Sequence, residues 1–180
     1  MIKQVIVVPH HPNWSRQFAQ EGQILREELA NNLVRLHHGG STAIPGIHAK
    51  PIIDILAEVA DLDRVDAQIP RLTTRGYEAM GEYGIPGRRY FRKHNAVGVR
   101  THHLHVFSTG SAEVLRHLAF RDYMIAHPEA AQAYSQLKQR LAVAYPDDIE
   151  AYMDGKDSFI KAMEQKSLEW IQLNTSDESI

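Results

Sequence analysis

Pro51 to Val59 reads PIIDILAEV, an apolar run of strand length with one carboxylate embedded at Asp54. A stretch apolar on both alternations of an extended chain suits a strand buried on both faces better than a surface one, and so requires covering layers. An unpartnered carboxylate in such a strand is costly, so Asp54 needs a partner, and a metal ion is one.

The flanking sequence supplies the other elements. Ile2 to Val8 is rich in β-branched residues and predicts a strand, which Pro9 and Pro12 end in a turn. From Trp14 to Leu36 the positions Phe18, Ile24, Leu25, Leu29 and Leu33 recur at helical spacing and predict one long amphipathic helix, with Val34 to His38 as a possible short strand before a loop running from Leu36 to Ala49. Leu62 to Gly76 predicts a second helix closed by a glycine, followed by a polar stretch from Tyr77. Arg88 to Lys93 and Thr101 to Phe107 predict a hairpin. Ala112 to Ala126, Pro128 to Ala144 and Asp147 to Leu173 are helical in period, with prolines at plausible helix starts. The expected architecture is an α/β (α+β) fold. A mixed, mostly antiparallel sheet of four or five strands carries helices on one side, and a C-terminal helical subdomain closes over the Gly-Ser loop. Residues 1–174 are expected to form a single domain, with 1–108 the core and 109–174 the helices, ahead of a disordered tail at 175–180.

Charge narrows the partners. Twenty basic and twenty-two acidic side chains leave a net charge of −2, so no global field draws the chain to nucleic acid or anionic lipid. A basic stripe interleaved with aromatics is absent apart from GRRYFRK, which disfavours polynucleotide substrates. Eleven histidines bring metal chemistry into consideration. With no cysteine there is no disulfide and no thiolate, and with no signal-peptide core or membrane span in the first residues a cytoplasmic location is expected.

The chemistry concentrates in His37 to Ile55, HHGGSTAIPGIHAKPIIDI. Gly39 and Gly40 let the backbone turn and approach a ligand, and Ser41 and Thr42 then offer hydroxyl and N–H donors to a phosphate. The order Gly-Ser, loop, Asp on the next strand resembles the nucleotidyltransferase superfamily, in which the Gly-Ser turn holds a triphosphate and strand carboxylates hold divalent ions. The wording GGSTAIPGIHAKPIIDI, together with PGRRYFRK, THHLHVF and FRDYMIAHPEA, is similar to the GrpB family, usually grouped with that superfamily and also found fused to dephospho-coenzyme A kinase.

This chain departs from the catalytic pattern that the superfamily resemblance implies. The second acid position is Leu56, and Glu58 is roughly 13 Å from Asp54 along an extended strand. The neighbouring strand offers His103 and His105, on one face, where a third acid is usual. With Asp54 they would form a facial site for a divalent metal: magnesium, manganese, or a transition metal such as zinc, the last suiting imidazole best. Hydrogen-bonded structural histidines and a plain surface loop are the competing readings. Lys50 can reach a phosphate or remain solvated. Arg88 and Arg92 share one strand face and Arg89 and Lys93 the other, with the ligand-facing pair unassigned. Tyr134 with Lys138 and Tyr152 with Lys156 share helix faces.

The leading expectation is a metal-dependent nucleotide-handling enzyme, transferring a nucleotidyl or phosphoryl group from a nucleoside triphosphate to a small acceptor. Gly40, Ser41, Thr42, Lys50, Arg88, Lys93 and Lys138 would meet phosphates, and Asp54, His103 and His105 the metal, with Asp54 catalytic. One alternative is a catalytically degenerate module binding a nucleotide or cofactor, linked to coenzyme A metabolism. The other is a metal-dependent phosphoesterase.

Overall fold

The computed structural model describes residues 4–177. They form two compact units. One, the sheet unit, comprises His11–Ala43 and Ile52–Leu115; the other, the helical unit, comprises the described residues of Met1–His10, Ile44–Pro51 and Arg116–Ile180. The division does not follow a boundary at 108, because the Ile44–Pro51 segment groups with the helices.

In the sheet unit, helix α1 (Asn13–Leu29) leads through a single 3-10 turn into strand β1 (Leu33–Gly39), and β2 (Ile53–Val59) follows. Helix α2 (Leu62–Thr74), the three-residue strand β3 (Tyr77–Ala79) and the hairpin β4 (Arg89–His94) and β5 (Arg100–Ser108) complete it. The strand order is β1-β2-β5-β4-β3, with β2 and β5 parallel and the other neighbours antiparallel. The expected mixed sheet of four or five strands is present with five, and Ile53–Val59 of PIIDILAEV lies inside it between β1 and β5. Ile53, Ile55, Ala57 and Val59 are all buried. Fully burying each of the Ile and Val side chains contributes about 1.5–3 kcal/mol.

Alternation assigns the two faces. On one, Tyr77 donates to Glu21 of α1, Lys93 pairs with Glu21, Arg89 pairs with Asp66 of α2, and Phe18 of α1 stacks on His38. This is the helix-covered face. The other carries Asp54, Leu56, Glu58, His103, His105, Tyr90 and Arg92.

Three expectations are corrected. The first helix stops at Leu29, where Ala30 takes φ 49 and breaks the ladder, and the residues expected to extend it to Leu36 turn into β1. Asn32 enforces the change: it is wholly buried, and its side chain both donates to and accepts from the backbone of Asp61. The polar stretch after Gly76 begins with the unexpected strand β3. The N-terminal strand is reduced, in its described part, to one bridge between Val8 and Ala49.

In the helical unit, α3 (Ala112–Ala126), α4 (Pro128–Ala144) and α5 (Ile149–Asp177) match the predicted helices. Helix α5 runs through Asp177, beyond the expected start of a disordered tail at 175, and residues 178–180 lie outside the described ones. Ile44 and Ile47 pack with Met124, Ala131 and Tyr134, which is why the 44–51 segment belongs with the helices. Gly155 gives α5 room against α4, since a Cβ there would meet Leu141 at 2.4 Å. No described helix is long and apolar enough to cross a membrane.

Candidate functional site

The parallel pairing of β2 and β5 sets Asp54 opposite His103 and Leu56 opposite His105. Both imidazoles thereby reach one carboxylate oxygen: His103 Nδ1 and His105 Nε2 each lie 3.2 Å from Asp54 Oδ1. One ligand atom from each of the three residues falls within 4.8 Å of the others. Ligands about 2.0–2.2 Å from one ion and about 90–110° apart stand roughly 2.8–3.6 Å from each other, so both Asp-to-His separations fit a divalent ion. Burial works to raise the Asp54 pKa, but hydrogen bonds from His103 and His105 outweigh it, and the carboxyl is held well below the usual range.

The glycine-rich loop meets this cluster directly. Gly40 has φ +63, and a Cβ there would lie 2.4 Å from Asp54 Oδ2. The absent side chain is what lets the backbone that leads into Ser41 pass over the carboxylate. Thr42 is buried, and its hydroxyl is hydrogen-bonded to His38 Nε2 at 2.9 Å, which fixes the loop.

The GRRYFRK strand resolves by face. Arg88 is buried and donates through Nε to Glu82 O and through a terminal nitrogen to Tyr83 O, while its other terminal nitrogen points at His105 Nδ1 at 3.4 Å. It ties the 82–83 loop to the histidine. The Arg88 N–H also makes Nδ1 the accepting nitrogen of His105, which leaves the ring proton on Nε2, donated to Asp54. Arg92, on the same face, lies over the rings of Tyr83 and Tyr90, 4.6 and 5.4 Å from their centroids, and its buried Nε has no hydrogen-bond partner. Tyr90 in turn packs on both His103 and His105. Arg92 belongs with Arg88 to one of the two pairs that alternation offered to a ligand; Tyr90 shares their parity, whereas Tyr83 lies in the loop before the strand and carries no such signal.

Lys93 projects from the helix-covered face, where its ammonium bonds both carboxylate oxygens of Glu21 at 2.8 and 2.9 Å and so holds α1. Glu58 does not join Asp54 either: it is buried and bonds His37 at 2.7 Å, giving a structural task to a histidine that had been assigned none. Lys50 and Lys138 belong to the helical unit.

These features define a mixed α/β protein with a five-stranded sheet and five helices, bearing a carboxylate and two imidazoles beside a glycine-serine turn. The family model described as GrpB protein matches residues 4–166, and the chain belongs to the GrpB family. It is 40% identical over 168 residues to the UPF0157 protein YqkA of Bacillus subtilis, covering 93% of this chain but 48% of that protein. It is 37% identical over 160 residues to the glutamate-rich protein GrpB of Alkalihalophilus pseudofirmus, covering 87% and 92% respectively. A dephospho-CoA kinase of Mycolicibacterium paratuberculosis is 26% identical over 189 residues, a match spanning 92% of this chain and 46% of the kinase. The crystal structure of the conserved protein GrpB from Enterococcus faecalis superposes with a TM-score of 0.88 at 43% identity, covering 93% of this chain and 99% of that one.

Proposed function

We propose that the sheet unit binds a divalent metal through Asp54, His103 and His105 and uses it to handle a phosphate-bearing nucleotide, by nucleotidyl or phosphoryl transfer to a small acceptor. The observation that carries this reading is the convergence of the two imidazoles on Asp54 Oδ1 at 3.2 Å, with Gly40 pressed against Oδ2. A divalent ion supplies positive charge that polarises a phosphoryl oxygen. The Gly40–Ser41 backbone and the Ser41 hydroxyl orient the phosphate, Arg92 offsets its charge, and Tyr90 keeps both histidine rings in place. Two imidazoles with one carboxylate suit zinc or another transition metal better than magnesium.

A second reading, a non-catalytic nucleotide- or cofactor-binding module, is favoured by one specific contact. For His105 to ligate through Nε2, its ring proton must move to Nδ1, where the Arg88 N–H already points. Leu56, buried in place of a second acid, supports the same reading. The similarity to a dephospho-CoA kinase suggests that such a module serves coenzyme A chemistry.

Calorimetric titration with zinc and manganese separates the two. The metal reading expects one-to-one binding that Asp54→Asn and His103→Ala each weaken by more than the roughly 10–100-fold that loss of an outer partner costs. A thermal-shift screen should then find a nucleotide whose stabilising effect depends on the metal. Metal affinity equal in all three proteins would sink the assignment and leave the binding module.

A further inference from the structure

Three lysines of the helical unit gather around two tyrosines. Lys138 of α4 is 2% exposed, and its ammonium has no hydrogen-bond partner. It lies over the ring of Tyr134, 4.4 Å from the centroid. Lys156 of α5 is also buried and stands 4.6 Å from the centroid of Tyr152, over which Lys50 is placed at 5.6 Å. Both tyrosines are themselves buried. The segment carrying Lys50 is fixed to α4, where Ser135 accepts from the His48 N–H.

A buried ammonium ordinarily finds a carboxylate or several carbonyls. The charges acting on Lys138 are instead those of Lys156 and Lys50, both of its own sign. Ring faces satisfy a cation only in part, well short of what an ammonium loses on leaving water. Three neighbouring cations, one of them with an unfilled donor, match a multiply charged anion. The Tyr faces are occupied by the lysines, so the complementary part of the ligand is its charged group and not an aromatic ring.

We propose that Lys50, Lys138 and Lys156 form a binding site for a phosphate group, either free orthophosphate or the phosphate chain of a small molecule. The inference concerns the helical unit alone and stands whether or not Asp54 and its histidines hold an ion. Lys138 donates to the anion through the ammonium that has no other acceptor, and Lys50 and Lys156 complete the charge balance.

The test is calorimetry of the full chain at pH 6.5 with EDTA present, titrating sodium tripolyphosphate and, separately, orthophosphate. EDTA removes any contribution from a metal at Asp54, so the outcome is independent of that assignment. Lys138→Met should weaken tripolyphosphate by at least tenfold, and Lys156→Met likewise. Lys161→Met, which removes an exposed lysine paired with Asp157 on the same helix, should leave affinity within twofold. Lys138→Met keeps the buried side-chain volume, and its melting temperature without anion should match or exceed that of the parent while the anion-induced rise disappears. Affinity at least tenfold higher for tripolyphosphate than for orthophosphate assigns the chain of a larger ligand, and comparable affinities assign the free ion. No binding to the parent, or equal weakening by all three substitutions, would overturn the site.

Discussion

A methyl group on residue 40 has nowhere to go. Its Cβ would sit 2.4 Å from Asp54 Oδ2, and φ +63 is itself unfavourable for any side chain. Gly46 has φ +76 with nothing within 4 Å of a built Cβ, so it isolates the backbone part of the cost. Gly46→Ala should cost roughly 1–2 kcal/mol in urea denaturation, and Gly40→Ala roughly 1–3 kcal/mol more, because the carboxylate must leave its two imidazoles or the loop must lift. Equal costs at the two positions would mean that Asp54 swings aside freely. Period-two alternation sufficed to pair His103 with His105 and to separate Arg88 from Lys93. It did not tell which face of β4 the helices cover, because both faces carry cations, so the pairing of Lys93 with Glu21 was hidden. Nor does alternation along one strand reveal a cross-strand partner: Glu58 and His37 are 21 positions apart and meet only through the β1–β2 register.

At the scale of elements, the boundary between α1 and β1 was the hardest to read, because Leu29, Leu33 and Leu36 continue a helical spacing that the chain abandons. Tertiary hydrogen bonding overrides periodicity there. Asn32 bridges the start of β1 to the end of β2: its amide donates to Asp61 O at 2.9 Å and accepts from Asp61 N at 3.0 Å. Asn32→Ala strands both Asp61 backbone groups and should destabilise the protein by about 2–4 kcal/mol at one to two per orphaned group. Chemical denaturation checks this, and a loss below about 1 kcal/mol would show that water replaces the side chain. The strands that were legible, β2, β4 and β5, are those with six or more residues of strong apolar or alternating character. Strand β3 has three residues, only one of them buried, and carries too little pattern to be seen. The N-terminal run has the composition of a strand, but composition does not name a partner, and in its described part Val8 finds one only in Ala49.

Over the whole molecule, the chain passes between its two units more than once, and the sequence showed only the last passage, where strand patterns give way to helical ones. The return through Ile44–Pro51 was hidden in a loop whose apolar residues, Ile44 and Ile47, are core of the helical unit. Lys138 gives the molecule a pH dependence whose sign follows from its setting. Desolvation first, then repulsion from Lys156 and Lys50, lowers its pKa in the folded state from 10.5 to about 7. Below pH 7 the folded and unfolded chains both carry the proton, and the penalty for the buried charge is present in full. Between about pH 7 and the unfolded value near 10.4 only the unfolded chain keeps the proton, so stability rises with pH by up to about 1.4 kcal/mol per unit. Parent minus Lys138→Met should therefore be a curve that is flat and negative below pH 6.5 and climbs from pH 7.5 to 9.5, measured by urea denaturation without anions. The same penalty favours an anion at low pH, because a bound phosphate restores the missing partner, so saturating tripolyphosphate should flatten the climb. A difference curve with no slope above pH 7 would mean that Lys138 is solvated in solution and keeps an ordinary ammonium pKa.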